Sequence, residues 1–241
     1  MYLKIIRVVL LDFEIISHKN INSTNTYAYN LGKLGKKNKI VVSETQNHGK
    51  GRLDRSWFSE KGGLYFSVLM SIEDIGKLEK INFLGSLCVI ETLKTFSDKK
   101  FEIKWPNDVL FENKKICGIL TELNVSKGYL VLGIGLNINN EIDPEIKNIA
   151  TSLKEIENIE FNVNIILKKF VEIFIKNLKI DDELLLENYK KYSKTLFNDV
   201  KLIMHEKTAT GKVVDISYDG IHIDTGKIVE VFNVGDCIHL R

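Results

Sequence analysis

Between Asn20 and Lys154 the chain is a series of short β-type runs: Ile40 to Ser43, Leu64 to Met70, Glu102 to Trp105, Ile116 to Leu123 and Tyr129 to Leu136. Polar or glycine-containing turns separate them. The gap Glu112-Asn113-Lys114-Lys115 can reverse a strand but is too short for the helix that a parallel crossover needs. Helical periodicity interrupts the series at Lys77 to Phe96. This spacing predicts an α/β or α+β domain whose central sheet is rich in hairpins.

On either side of that region the texture differs. The apolar start Ile5 to Ile16 contains Arg7, Asp12 and Glu14 and no small-residue cleavage site, so it reads as a strand and not as a membrane span or secretion signal. Ser23-Thr24-Asn25 precedes a helix expected over Thr26 to Leu34. From Val163 the apolar residues Ile166, Leu167, Phe170, Val171, Phe174, Ile175 and Leu178 follow one helical face, the pattern of a core helix, and a second helix is expected from Asp181 to Thr195. After Asn198 come short alternating strands, Val200 to Met204, Gly211 to Ile216, Ile221 to Asp224, Ile228 to Phe232 and Cys237 to Leu240, with a hairpin turn at Asp219-Gly220. The expected division is therefore a domain of residues 1–197 and a small β-barrel of residues 198–241. A unit of roughly forty residues is near the lower limit for independent stability and should dock on its neighbour.

Composition narrows the function classes. Among 241 residues, Lys+Arg total 34 against Asp+Glu 32, a net charge of +2, with 44% hydrophobic residues. That excludes a disordered chain and argues against a nucleic-acid-coating protein. Cys88, Cys117 and Cys237 form no CxxC and no zinc-type cluster, which fits a reducing, cytoplasmic setting.

Three segments carry candidate chemistry. The loop Gln46-Asn47-His48-Gly49-Lys50-Gly51-Arg52-Leu53-Asp54-Arg55-Ser56-Trp57 places three cations, Lys50, Arg52 and Arg55, among glycines that let backbone approach an anion. No Gly-Lys-Ser/Thr opens a helix there, so it is not a Walker A loop. Trp57 either stacks on a base or anchors the loop in the core. Lys104-Trp105-Pro106-Asn107-Asp108 holds one of only 2 Trp beside one of only 2 Pro. Pro106 stiffens this strand end, so Lys104 is either a preorganised positive charge or an ordinary solvated lysine. Glycines interrupt the strands at Gly118, Gly133 and Gly135, marking bulges or close approach of a ligand. Ser23, Thr24 and Asn25 either cap a helix or hydrogen-bond a ligand.

Taken together and in this order, Ser23-Thr24-Asn25, the Gly49-Lys50-Gly51-Arg52-x-x-Arg55-x-Trp57 loop, Gly63-Leu64-Tyr65-Phe66-Ser67, Lys104-Trp105-Pro106-Asn107-Asp108, Lys115-x-x-Gly118-Ile119-Leu120-x-Glu122 and Gly133-Ile134-Gly135-x-Asn137 resemble the biotin protein ligase family across essentially the whole chain. The resemblance implies an α+β catalytic domain like that of class II aminoacyl-tRNA synthetases, with a mixed central sheet, followed by a small Src-homology-3-like barrel. It implies two steps: biotin and MgATP form biotinyl-5'-AMP, and the biotinyl group passes to a lysine of a biotin carboxyl carrier domain such as that of acetyl-CoA carboxylase. Carried over by position, Ser23, Thr24, Asn25, Gln46, Gly49, Arg52, Lys104, Gly118 and Gly135 look like biotin contacts. Lys50, Gly51, Arg52, Arg55, Trp57, Lys104, Asn107, Lys115 and Asn137 look like ATP or adenylate contacts. Arg52 and Lys104 are the catalytic candidates, because a carboxylate must approach a phosphate and both are anions. No metal ligands and no general base for lysine transfer are identified.

Two positions depart from the family pattern: Lys50 stands where Arg is common and loses its planar fork, and Asp54 stands where Gly is common. Only 22 residues precede Ser23, too few for a helix-turn-helix, so a DNA-binding repressor role is not expected. The resemblance also allows homodimerisation through sheet edges. Competing readings are a lipoate or octanoate protein ligase, for which the basic loop and barrel are worse matches, and a non-catalytic biotinyl-adenylate sensor, which has no need to retain both Arg52 and Lys104.

Overall fold

The computed structural model describes residues 7–10, 13–205 and 207–240. Strands β1 (Arg7–Leu10) and β2 (Phe13–Ile21) pair antiparallel. Helix α1 (Thr24–Lys33) crosses over to β3 (Lys39–Gln46), parallel to β2, and β4 (Leu64–Ser71) runs antiparallel to β3. Helix α2 (Lys80–Leu93) carries the chain to the far edge. There β5 (Glu102–Lys104), β6 (Asp108–Phe111), β7 (Lys114–Asn124) and β8 (Tyr129–Leu136) form a meander whose last strand closes on β4. The order is β1-β2-β3-β4-β8-β7-β6-β5, a mixed sheet of eight strands. Helices α3 (Leu153–Glu157), α4 (Val163–Asn177) and α5 (Asp182–Tyr192) follow. A separate antiparallel sheet then comprises β9 (Asp199–Ile203), β10 (Thr208–Ser217), β11 (Gly220–Asp224), β12 (Val229–Phe232) and β13 (Asp236–His239). The architecture is α+β.

Sequence patterning explains most of these elements. Glu112 and Asn113 both take positive φ, 47° and 71°, as a two-residue hairpin between β6 and β7 requires. The Ser23 hydroxyl caps α1 by accepting from the Thr26 amide. Strand β4 is buried along its whole length because both faces of the sheet are covered there. Leu64, Phe66, Val68 and Met70 join the large core with α2 and α4, whereas Leu69 joins Ala28, Val41, Tyr129 and Val131 under α1. On α4, Ile166, Leu167, Phe170, Val171 and Phe174 are buried, and Phe170 meets Phe66 edge-on with ring centroids 4.9 Å apart.

Three expectations need correction. The run Ile5 to Ile16 is not one strand: Arg7–Leu10 pairs antiparallel with Phe13–Ile16, while Ile5, Ile6, Leu11 and Asp12 lie outside the described residues. Helix α2 begins at Lys80, after a turn in which Gly76 takes positive φ. Strand β6 was missed because Asp108 to Phe111 is short and looks like the tail of a turn; Lys104 in fact pairs with Asp108 across a tight reversal at the cis Trp105–Pro106 peptide.

The second sheet docks on the larger unit through apolar packing, with Phe83 and Tyr218 edge-on at 5.2 Å, and through polar contacts. Thr195 is fully buried; its hydroxyl accepts from the Trp105 amide (2.9 Å) and lies 3.1 Å from His239 Nε2, to which it can give its only proton. Lys190 pairs with Asp215 at 2.5 Å, and the Tyr218 hydroxyl donates to the Asp182 carbonyl at 2.6 Å. Burial, reinforced by Lys104 and Lys194 and opposed by Glu102, pulls the His239 imidazole down to about 4. The neutral ring is thus the form that accepts from Thr195.

Two outcomes follow from this packing. Phe170→Ala empties a buried ring site and is expected to cost about 3–5 kcal/mol in urea denaturation, with an unchanged slope. Between the ordinary histidine value of 6.5 and about 4, the unfolded chain binds a proton that the folded His239 refuses. Stability should therefore fall as pH drops through that window, and thermal midpoints of His239→Gln should lose that part of the pH dependence.

Candidate functional site

One cross-strand row organises the face of the large sheet that α1 covers only in part. Lys104 pairs with Asp108, Asp108 with Gly118, Gly118 with Gly135, Gly135 with Tyr65 and Tyr65 with Ser43. Paired residues share a face, so a cation and a carboxylate lie at one end, two bare glycines in the middle and hydroxyls at the other end. From Lys104 to Gly135 is three strand spacings, roughly 14 Å. Lys115 reaches this face because of a bulge: Val109 pairs with Cys117 but Leu110 with Lys115, so Ile116 is skipped and the alternation resets.

A cleft of about 420 Å³ opens over this row. At its neutral end the Thr24 amide and hydroxyl both donate to Gln46 Oε1 (2.8 and 3.1 Å), which turns Gln46 Nε2 toward Ser59 Oγ at 2.8 Å. Ser67 Oγ donates to Asn25 Oδ1 at 2.6 Å, and Asn25 Nδ2 donates to Glu122 Oε2 at 2.9 Å. Gly133 makes room for this pair, since a Cβ there would stand 1.8 Å from Asn25 Oδ1.

The basic loop forms the roof. It is a small hairpin: Lys50 bridges to Ser56, the Gly51 amide donates to the Arg55 carbonyl, and Leu53 and Asp54 take φ of 52° and 56° at its tip. Asp54 thus adopts the left-handed conformation despite its side chain. The Trp57 indole lies on the glycine floor, where a Cβ on Gly135 would stand 2.5 Å from the pyrrole edge and one on Gly118 2.8 Å from Cζ3. Lys115 Nζ sits 5.1 Å from the Trp57 ring.

The cations divide into two groups. Lys115 pairs with Asp108 (2.6 Å), Lys50 approaches Glu122 (3.8 Å), and Arg55 pairs with Asp236 of the second sheet. Arg52 reaches only neutral oxygens, Asn107 Oδ1 and the Gly235 carbonyl, each at 3.4 Å. Burial pulls its guanidinium below the ordinary value, while Asp236 and Asp108 act in the opposite sense. Lys104 lines the cleft with no ion-pair partner among the described residues. The cleft therefore offers two positive charges that form no direct ion pair among the described residues, next to a neutral polar pocket. Such a site suits a ligand with an uncharged polar head and an anionic tail.

Of the residues expected from sequence, Ser23, Thr24, Asn25, Gln46, Lys50, Gly51, Arg52, Arg55, Trp57, Lys104, Asn107, Lys115, Gly118 and Gly135 line this cleft. Two do not. Gly49 lies at the base of the loop, where a Cβ would stand 2.4 Å from the Trp57 carbonyl, so it serves the loop's own fold. Asn137 is buried away from the cleft, its Nδ2 donating to the Thr151 carbonyl at 3.1 Å and its carbonyl accepting from the Leu153 amide. Gly118 and Gly135 are covered by Trp57, so in this arrangement they seat an indole. Sequence reasoning counted Ser67 within the Gly63-Leu64-Tyr65-Phe66-Ser67 motif but gave it no site role, though a polar residue inside the apolar run of β4 was a usable signal. Asp236 has no local signal at all, because it reaches the cleft from the second sheet. Among the described residues no group of three or more His, Cys, Asp or Glu gathers to hold a metal ion.

Comparison with known proteins agrees with these features. A family model described as the biotin/lipoate A/B protein ligase family matches residues 18–139. The biotin protein ligase from Aquifex aeolicus, solved in complex with biotin and ATP, is 33% identical with a TM-score of 0.83, covering 94% of this chain and 98% of that one. The biotin acetyl-CoA-carboxylase ligase of Mycobacterium tuberculosis is 29% identical over 216 residues, 84% of this chain and 79% of that protein. The bifunctional ligase/repressor BirA of Bacillus subtilis is 32% identical over 151 residues, 59% of this chain and 46% of BirA. The chain thus spans about half the length of the curated relatives that it matches first. A match over half of the chain, on the segment that builds the cleft, means that the chain belongs to the biotin/lipoate A/B protein ligase family.

Proposed function

We propose that the chain is an ATP-dependent ligase that activates biotin as biotinyl-5'-AMP and transfers the biotinyl group to a lysine of a biotin carboxyl carrier domain. The observation that carries this reading is the division of the cleft into a neutral polar pocket and an end with two cations that form no direct ion pair among the described residues. The names and bound ligands of the relatives point the same way.

In this reading Ser23, Thr24, Asn25 and Gln46 form the pocket for the uncharged fused rings of biotin. The carboxylate then extends toward Arg52 and Lys104, where the α-phosphate of MgATP must meet it. Two anions repel as they close, and fixed positive charge offsets that repulsion in the transition state. Lys104 suits this because it projects from a short strand clamped by β6 and by Thr195, and Arg52 because Asn107 and Gly235 hold its fork. Mg²⁺ arrives with the nucleotide as part of the substrate. Lys50, Gly51, Arg55, Asn107 and Lys115 surround the adenylate, with Trp57 as its aromatic wall. Gln46 and Trp57 belong to one hydrogen-bonded loop base, so biotin and nucleotide sites are mechanically joined. Residues 1–197 act as the catalytic domain, related in fold to class II aminoacyl-tRNA synthetases. Residues 198–241 act as a Src-homology-3-like barrel that braces the loop. Three buried, unbridged cysteines suit a reducing compartment.

Biotin-dependent exchange of radiolabelled pyrophosphate into ATP tests the first step, and labelling of a purified carrier domain tests the second. Both are expected; absence of exchange in folded protein would overturn the proposal, and exchange driven better by lipoate would reassign the acyl substrate. Lys104→Ala should keep its thermal midpoint and circular dichroism yet lose about 10²–10³-fold in exchange rate. A normal rate in that variant removes Lys104 from the chemistry.

A further inference from the structure

Trp57 carries a feature that stacking does not explain. Its Nε1 is buried and has no acceptor among the described residues. A buried N–H is normally paired, and leaving one unpaired is costly. This one is also precisely oriented by its seat. The pyrrole edge faces Gly135, which pairs with Tyr65, while Cζ3 faces Gly118, which pairs with Asp108 and meets Lys115. In the ligase reading, this puts the donor on the neutral side of the point where acyl group and phosphate would meet. Arg52 and Lys104 stand on the other side.

Building on the ligase reading above, we infer that Trp57 Nε1–H donates to the acyl oxygen of the bound adenylate and steadies the oxyanion that forms as the acceptor lysine attacks. In that step the neutral amine bonds to the acyl carbon and the carbonyl electron pair moves onto oxygen. When the pair returns, the bond from the acyl carbon to the phosphate oxygen breaks, AMP leaves with that bond's electrons, and one amine proton passes to solvent. Charge develops on the acyl oxygen during this aminolysis. During adenylate formation it develops on the phosphoryl oxygens instead, so a donor on the acyl oxygen has a larger effect on transfer than on activation. The arrangement gives Trp57 two separate tasks: its ring walls the cleft, and its N–H serves the second step.

The test compares Trp57→Phe with the unaltered chain in two assays, pyrophosphate exchange with biotin and MgATP, and single-turnover transfer from preformed biotinyl-adenylate to a carrier domain. Both activities fall, unequally: transfer is expected to lose about 10²-fold more than exchange. Replacing the carrier domain with hydroxylamine should show the same loss, because the oxyanion forms whichever amine attacks. Equal losses in both assays would reduce Trp57 to a platform and overturn the inference, and so would a transfer defect that disappears with hydroxylamine, which would mark a carrier contact. If Trp57→Phe does not fold, 3-benzothienylalanine at position 57 keeps the bicyclic shape without the N–H and should give the same unequal loss. No exchange in the unaltered chain would overturn the ligase reading itself, an outcome distinct from the others.

Discussion

The two faces of the eight-stranded sheet are used unequally, and the rest of the molecule depends on that inequality. One face is committed to α2 and α4, where Phe66, Phe170 and Phe174 close a dry core. On the other, α1 covers only the middle strands, and from Gly135 to Lys104 the sheet is left for a ligand and a loop. Burying apolar residues on the first face anchors the sheet strongly enough for the second to omit side chains at Gly118, Gly133 and Gly135. The site is therefore a part of the core surface that was never packed.

Electrostatics refines this picture. Counting lysines and arginines suggests a strongly cationic cleft, but Lys50, Arg55 and Lys115 already have acidic neighbours. Among the described residues, Arg52 and Lys104 remain without a direct ion pair, and both are positioned by neutral partners or backbone. A charge held without a counter-ion costs desolvation energy in the free protein, and an anionic ligand recovers that cost on binding. The second sheet takes part in this arrangement through Asp236 and Gly235, so its role extends beyond packing.

Much of this was legible in one dimension. The stripe on α4, the Ser23 cap and the Glu112-Asn113 hairpin follow from local periodicity and turn chemistry, which act over a few residues. The motif Lys104-Trp105-Pro106-Asn107-Asp108 was recognisable because the rare Trp and Pro meet there, and Gly133-Ile134-Gly135 because glycines interrupt a strand. What escaped depends on distant pairing. Nothing near Asp236 says that it will meet Arg55, and nothing near Asn137 says that it will be spent on Thr151. The fold-back of β1 on β2 escaped for a related reason, since an apolar run reads alike whether it continues or reverses.

The bulge at Ile116 has an implication for how this chain can vary. Alternation along β7 is reset there by one residue, and only that reset sends Lys115 to the side of Gly118 and Trp57. Removing Ile116 would straighten β7 yet leave Lys115 opposite Leu110 on the same face, whereas pairing the strand regularly with Ile116 kept would turn Lys115 toward the α2 core and Ile116 out into the cleft. The bulge is therefore what lets a strand of this length show a lysine here. In β7 the register, as much as the residue types, decides which side chains the cleft receives.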